Sequence, residues 1–373
     1  MSTEPRRSLD QTFVFDCDVH VNDAPDCLAP YCDPPWRRAL ENMGHAAGTY
    51  LHIPGYNTLP ETATPSMEPK FPGGFTTRKV ESPEQMEREL RALSIDAGIV
   101  FPDNLLTIAG LPHTEYAVAL SKAYNRWISE VWVDPERGLY GAIIACSQDP
   151  CAAAAEVRRF ADHPGVVAVF LPTSAVYPLW GNRRYDPIFD ACQEAGLPVM
   201  LHSVSAVHPH FPFNVEQFDT ALARHTVSHT FSIMANFISM MTTGVPARFP
   251  SLDVVFTEAG VSWVPFVQWR LDKEYNESRR ELPFYSDRPS TYTSRMYFAT
   301  QPIEEPKRRQ DLVQLMSLFD GENHVLFASD WPHHDFDHPR QVFDLPLSAE
   351  AKAKIMGRNA LKLFRIDRPG ADE

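Results

Sequence analysis

Four apolar runs in this chain each stop at a side chain that can bind a cation or move a proton. The run TFVFDCDVH (residues 12–20) ends through Asp16, Asp18 and His20; LPVMLH ends at His202; DVVFTEAG carries Glu258; HVLFASD ends at Asp330. Alternate side chains of a strand share a face, so Asp16, Asp18 and His20 are expected on one side of theirs. Buried carboxylates are costly unless a cation neutralises them. Asp18, His20, His202, Glu258 and Asp330 together offer two imidazoles and three carboxylates. Such a donor set suits Zn²⁺, Mn²⁺ or Fe²⁺ and leaves a coordination position open for water or substrate. A strand-end aspartate can instead cap the following helix, and that plainer explanation competes for any one of these residues taken alone. It competes poorly for four strand ends at once.

A repeating strand–helix chain must position them. After the first strand, residues 21–81 form an irregular segment dense in proline, glycine and aromatic residues, expected to fold over the site as a cover. From residue 82 the pattern is regular. Ser82-Pro83 opens a helix, with Gln85 suited to a capping box. Strands are then expected at 95–101, 139–145, 166–171, 198–202, 253–257, 296–299 and 324–328. Between and after them, helices are expected at 113–133, 149–161, 186–194, about 227–241, 264–275, 304–319 and 349–364. Irregular insertions fall at 203–226 and 276–295. Eight strand–helix units predict an α/β fold, a closed (β/α)8 TIM-type barrel forming a single domain over residues 1–373. Chemistry in such a barrel sits at the C-terminal ends of the strands, where these polar residues lie. No glycine-rich phosphate loop follows the first strand, which argues against a nucleotide-binding sheet.

Composition narrows the function classes. Of 373 residues, 44% are hydrophobic and 22% charged, ordinary values for a globular protein, and no apolar stretch is long enough to span a bilayer. The net charge of −14, without a lysine or arginine cluster, disfavours nucleic acid and leaves a small molecule as the expected partner. The polar start MSTEPRRSLD carries no secretory pattern. Cys17, Cys27, Cys32, Cys146, Cys151 and Cys192 form no Cys-x-x-Cys pair, so six reduced thiols and a cytoplasmic location are expected.

The order Asp-x-Asp-x-His on the first strand, His202 in LHS, Glu258 in FTEAGVSWVPFVQWRLD and Asp330 in FASDWPHHDFD resembles the amidohydrolase-related branch of the amidohydrolase superfamily. That branch includes the aminocarboxymuconate-semialdehyde and resorcylate-type decarboxylases. The likeness covers nearly the whole chain. It implies a (β/α)8 barrel with one divalent metal held by Asp18, His20, His202 and Asp330. Three departures stand out. Asp18 occupies the place of the first histidine of His-x-His in many relatives, which makes the site harder and favours Mn²⁺ or Fe²⁺. The fourth strand, ending AVFLPTSAV, lacks the lysine that bridges two metals in the dinuclear hydrolases. Glu258 replaces a catalytic histidine, and can act as a general base or a further ligand.

Metal-dependent hydrolysis or decarboxylation of a small organic acid or amide is the leading expectation, with Asp330 as general base and Glu258 assisting. An oxidative alternative resembles the aminoisobutyric acid hydroxylase type, with a second metal held by Glu258 and surplus histidines. A third possibility is a structural subunit paired with a paralogous catalytic chain; a homo-oligomer is otherwise expected. His225 and His229, four apart on a helix, suit packing or ligation equally. His333 and His334 follow Asp330 closely enough to support the site or touch substrate. His208 and His210 are expected on a loop surface, and Trp263, Phe266 and Trp269 in the core.

Overall fold

The computed structural model describes residues 8–43, 80–204, 217–333 and 335–367. Eight strands lie in one sheet in chain order: β1 (Phe15–Val21), β2 (Ala97–Pro102), β3 (Leu139–Ile144), β4 (Val166–Pro172), β5 (Val199–His202), β6 (Val254–Thr257), β7 (Met296–Ala299) and β8 (Val325–Leu326). Every neighbouring pair is parallel. Past the two regular residues of β8 the chain runs along β1 and closes the ring. Cys17 N–H donates to the Phe327 carbonyl (2.9 Å), Asp330 N–H to Asp18 (3.0 Å) and His20 N–H to Trp331 (2.8 Å). The fold is the expected (β/α)8 barrel.

The strands are rich in Val, Ile and Phe and almost wholly buried, as a parallel sheet covered by helices requires. Their register levels the ends that matter: Pro172 pairs with His202, and His202 with Thr257, one residue before Glu258. Local signals set the helix starts. Ser82 accepts the Gln85 N–H (3.2 Å) ahead of Pro83, and Asp149 accepts those of Cys151 and Ala152 (3.1 and 3.0 Å) ahead of Pro150. Gly196 stops the helix Asp186–Ala195 in the left-handed conformation, φ 65°. Below the site, Phe237, Phe256, Trp263 and Phe298 pack ring against ring with centroids 5.2–6.4 Å apart.

Several boundaries differ from expectation. The helix Ala221–Thr242 starts six residues early because Thr220 caps it, accepting the Ala223 N–H at 3.1 Å. That shortens the insertion expected at 203–226. The helix expected from 304 begins at Arg309, because the Glu304 carboxylate is engaged elsewhere, accepting the Val261 and Ser262 N–H groups. Trp263 is buried as expected, but Phe266 and Trp269 are 57% and 56% exposed and do not belong to the core. Of the expected cover at 21–81, residues 44–79 lie outside the described residues, as do His208, His210 and His334. All six cysteines are free, and among the described residues no helix is long and apolar enough to cross a membrane.

Candidate metal centre

β1, β5 and the segment after β8 bring four donor atoms to one point. One ligand atom from each of Asp18, His20, His202 and Asp330 lies within 4.8 Å of every other, and all four residues are buried. His20 Nε2 is 3.1 Å from both Asp18 Oδ1 and Asp330 Oδ1, and His202 Nε2 is 3.1 Å from Asp18 Oδ1. The second nitrogen of each ring is anchored. His20 Nδ1 lies 2.6 Å from the Pro102 carbonyl and His202 Nδ1 2.6 Å from that of Ser203. A carbonyl can only accept, so each Nδ1 carries the proton and each Nε2 turns its lone pair to the centre, the orientation found in metal-binding histidines. His20 Nε2 is buried and makes no hydrogen bond among the described residues.

The electrostatics fit a cation. Burial and the neighbouring His333 push the His20 pKa down, but Asp18 and Asp330 outweigh them and carry it up to about 9. Burial opposes ionisation of Asp18, yet His202 and His20 hold its carboxyl below the usual range. With Nδ1 already protonated, that field acts at His20 Nε2, where a divalent ion would take the place of the second proton, and the acid–imidazole donor set is of the right chemistry.

Glu258 stands beside this group. Its Oε2 is 3.2 Å from His202 Nδ1 and its Oε1 2.8 Å from His229 Nδ1. Burial, then the charges of Asp330 and Asp18, pushes its carboxyl well above the usual range, while burial pushes His229 well below its own. The contact therefore joins two groups driven toward their neutral forms. Among the described residues, Glu258 Oε2 and both His229 nitrogens make no hydrogen bond. His225, one helical turn away, lies with its ring centroid 5.0 Å from that of His229 and its Nε2 3.3 Å from Asp335 Oδ2. On the other side His333 stacks on His20, centroids 4.3 Å apart, with Nδ1 2.7 Å from Asp330 Oδ1. Gln301 Nε2 reaches Asp330 Oδ2 at 3.3 Å. Phe101 and Phe170 press their rings against His202 and give the site an apolar wall.

Asp16, expected to share a face with Asp18 and His20, is not part of the group. The register of β1 against β2 shifts between Asp16 and Val19, which breaks the simple alternation. Asp16 instead accepts the Asp18 N–H (3.0 Å), the Ser329 N–H (2.9 Å) and the Ser329 hydroxyl, latching the seam of the barrel. Asp103, Gln301 and Asp335 were not anticipated. Asp103 closes the run AGIVFP of β2, so the signal that marks His202 and Asp330 was present there too.

Barrel and site together define an enzyme with a buried acid–imidazole cluster able to hold a metal ion. An amidohydrolase family model, Amidohydro_2, matches residues 15–366, and the chain belongs to that family. Among curated proteins it is similar to the gamma-resorcylate decarboxylase of Rhodococcus jostii (strain RHA1), 25% identical over 71% of this chain and 82% of that protein. An amidohydrolase from Mycobacterium avium subsp. paratuberculosis K-10 shares the fold with a TM-score of 0.70 and 19% identity, over 95% of this chain and 99% of that one. So does a dihydroxybenzoic acid decarboxylase from Polaromonas sp. JS666, solved with bound manganese and the inhibitor 2-nitroresorcinol. Its TM-score is 0.66 and its identity 17%, over 96% and 98% of the two chains.

Proposed function

We propose that this chain is a metal-dependent decarboxylase of a small aromatic acid, with Asp18, His20, His202 and Asp330 holding one divalent ion. The observation that carries the reading is the pair of imidazoles, each anchored through Nδ1, whose Nε2 atoms face buried carboxylates at 3.1 Å. The similar decarboxylases support the reaction and substrate class, and the manganese of one supports Mn²⁺ as the ion. When bound, such an ion supplies polarisation of a substrate oxygen.

This chain's own residues account for the remaining steps. Decarboxylation breaks the bond between a ring carbon and its carboxylate; CO₂ leaves, and the electron pair left on carbon takes up a proton. Glu258, just after β6, and Asp330, on the segment after β8, are the carboxyl groups placed to handle that proton. Phe101 and Phe170 keep water from the wall beside His202. Hydrolysis of an amide would use the same group, with Asp330 as base toward water. The discriminating experiment strips the protein of metal, reloads it with Mn²⁺ and offers a panel of hydroxybenzoates. Release of CO₂ with equimolar phenol, abolished by a chelator, is expected. Failure to release CO₂ from any of them, in protein shown to contain Mn²⁺, overturns the reading.

One observation favours a second reading: Glu258 Oε2 and both nitrogens of His229 are buried without hydrogen bonds among the described residues. A second ion there would accord with oxidative chemistry. Two ions per chain and oxygen consumed with turnover would establish it in place of decarboxylation.

We further infer a single domain over residues 1–373 in a cytoplasmic homo-oligomer, or a hetero-oligomer with a paralogous chain. The exposed Phe266 and Trp269 on the helix Trp263–Ser278 support an assembled state, because large apolar side chains side by side on a surface commonly mark contacts.

A further inference from the structure

We propose that His333 is the positioning residue that fixes Asp330 as a metal ligand, and that the loop after β2 sets the affinity of the metal site by holding His333 through Asp103. The inference rests on the reading of Asp18, His20, His202 and Asp330 as the metal-binding group.

The geometry is a chain of contacts across three loops at the mouth of the barrel. Asp330 adopts a left-handed backbone conformation, φ 62°, so its own backbone offers no ordinary strand geometry to aim the carboxylate. Its side chain is held from outside. Oδ1 lies 2.7 Å from His333 Nδ1, while Oδ2 has the longer contact of 3.3 Å from Gln301. His333 is fixed in turn. Its ring is stacked on His20, its backbone N–H donates to the Asp330 carbonyl at 2.9 Å, and its far nitrogen, Nε2, meets Asp103 Oδ1 at 3.2 Å.

Asp103 is 39% exposed at its side chain and would be a loose anchor alone. Its backbone is not loose. The fully buried carboxylate of Asp23, just past β1, accepts the N–H groups of Asp103 (3.0 Å), Asn104 (2.6 Å) and Leu105 (2.9 Å). The loop after β2 is thereby pinned where Asp103 can reach His333. Both imidazole nitrogens of His333 are taken up by carboxylates, so neither is left to bind a metal or a substrate. That leaves a role exerted through Asp330. Groups that orient a ligand from behind commonly change metal affinity 10–100-fold when lost.

The test measures the affinity of the metal-free protein for Mn²⁺ by competition with a chelator, so it does not depend on turnover. His333→Gln and Asp103→Ala are each expected to weaken binding about 10–100-fold. Asp103→Asn keeps an acceptor in place and should recover most of the loss. The double variant Asp103→Ala/His333→Gln should bind no more weakly than His333→Gln alone, because Asp103 acts only through the imidazole. A merely structural role would lower the melting temperature of the metal-free protein and leave Mn²⁺ affinity untouched. If both single variants bind Mn²⁺ within twofold of the parent while His202→Ala loses it, the inference is overturned and the metal site stands. If His202→Ala also keeps full affinity, the metal-site reading itself fails.

Discussion

Glu258 and Asp330 share an unusual backbone: both take the left-handed conformation, φ 57° and 62°. A non-glycine residue there typically costs on the order of 1–3 kcal/mol, tolerated where the surroundings hold it. Here the turns accompany carboxyls that meet the site imidazoles, Asp330 Oδ1 at 3.1 Å from His20 Nε2 and Glu258 Oε2 at 3.2 Å from His202 Nδ1. The proton-handling role proposed for Glu258 has a direct consequence. Glu258→Gln preserves size and backbone geometry but removes the transferable proton, so activity should fall about 10²-fold or more with metal content unchanged. Elemental analysis beside a turnover assay checks this; a parallel loss of metal would instead make Glu258 a ligand. The sites of Asp18, His20, His202, Glu258 and Asp330 were legible because each interrupts or closes an apolar run with an ionisable group. Asp103 closes β2 with the same signal and was legible too, whereas Gln301 is not ionisable and Asp335, a single polar residue in a loop, carries no period. The left-handed turns left no trace in the sequence, because neither position is glycine.

At the scale of elements, strand order followed from the alternation, whereas the ends of elements depended on side chains that compete for backbone groups. Thr220 extends one helix by six residues, and Glu304, engaged by two other N–H groups, delays another. Phe266 and Trp269 share their helix with the buried Trp263, and spacing alone cannot say which apolar stripe faces inward. The loop after β2 offers a measurable pH signature. Burial, with the charge of Asp103 adding to it, raises Asp23 from 3.8 to about 6 against the pull of three backbone N–H groups. Between those values the folded chain keeps a proton that the unfolded chain has released. Stability contributed by this group therefore falls as pH rises through the window, at up to about 1.4 kcal/mol per unit. Asp23→Asn cannot titrate. The stability of the parent relative to this variant, from urea unfolding, should shrink between about pH 4 and 6 and level off above.

For the whole molecule, the metal group straddles the closure of the barrel. Asp18 lies on the first strand and Asp330 on the segment that follows the last, and the two are joined by a backbone hydrogen bond at 3.0 Å. An ion bound by both clamps the seam that Asp16 and Ser329 already latch, and ligand binding to the folded state alone must raise stability. Mn²⁺ at 100 times its dissociation constant should add about 2.7 kcal/mol, seen as a rise in melting temperature that a chelator reverses. The same addition should leave His202→Ala unmoved. A rise of equal size in that variant would place the ion elsewhere.

The seam also fixes when the site can come into being. Asp18, His20 and His202 are synthesised before Asp330. At ordinary translation speeds the interval from Asp18 to Asp330 is roughly 15–60 s, during which the group lacks its fourth member. A nascent chain cannot assemble the four-ligand pocket, however well its first strands are folded. Metal choice by all four residues is thus made only once Asp330 has been synthesised, among the ions that the chain meets from then on. The occupant of this centre will track the metal pool of the compartment in which the barrel closes.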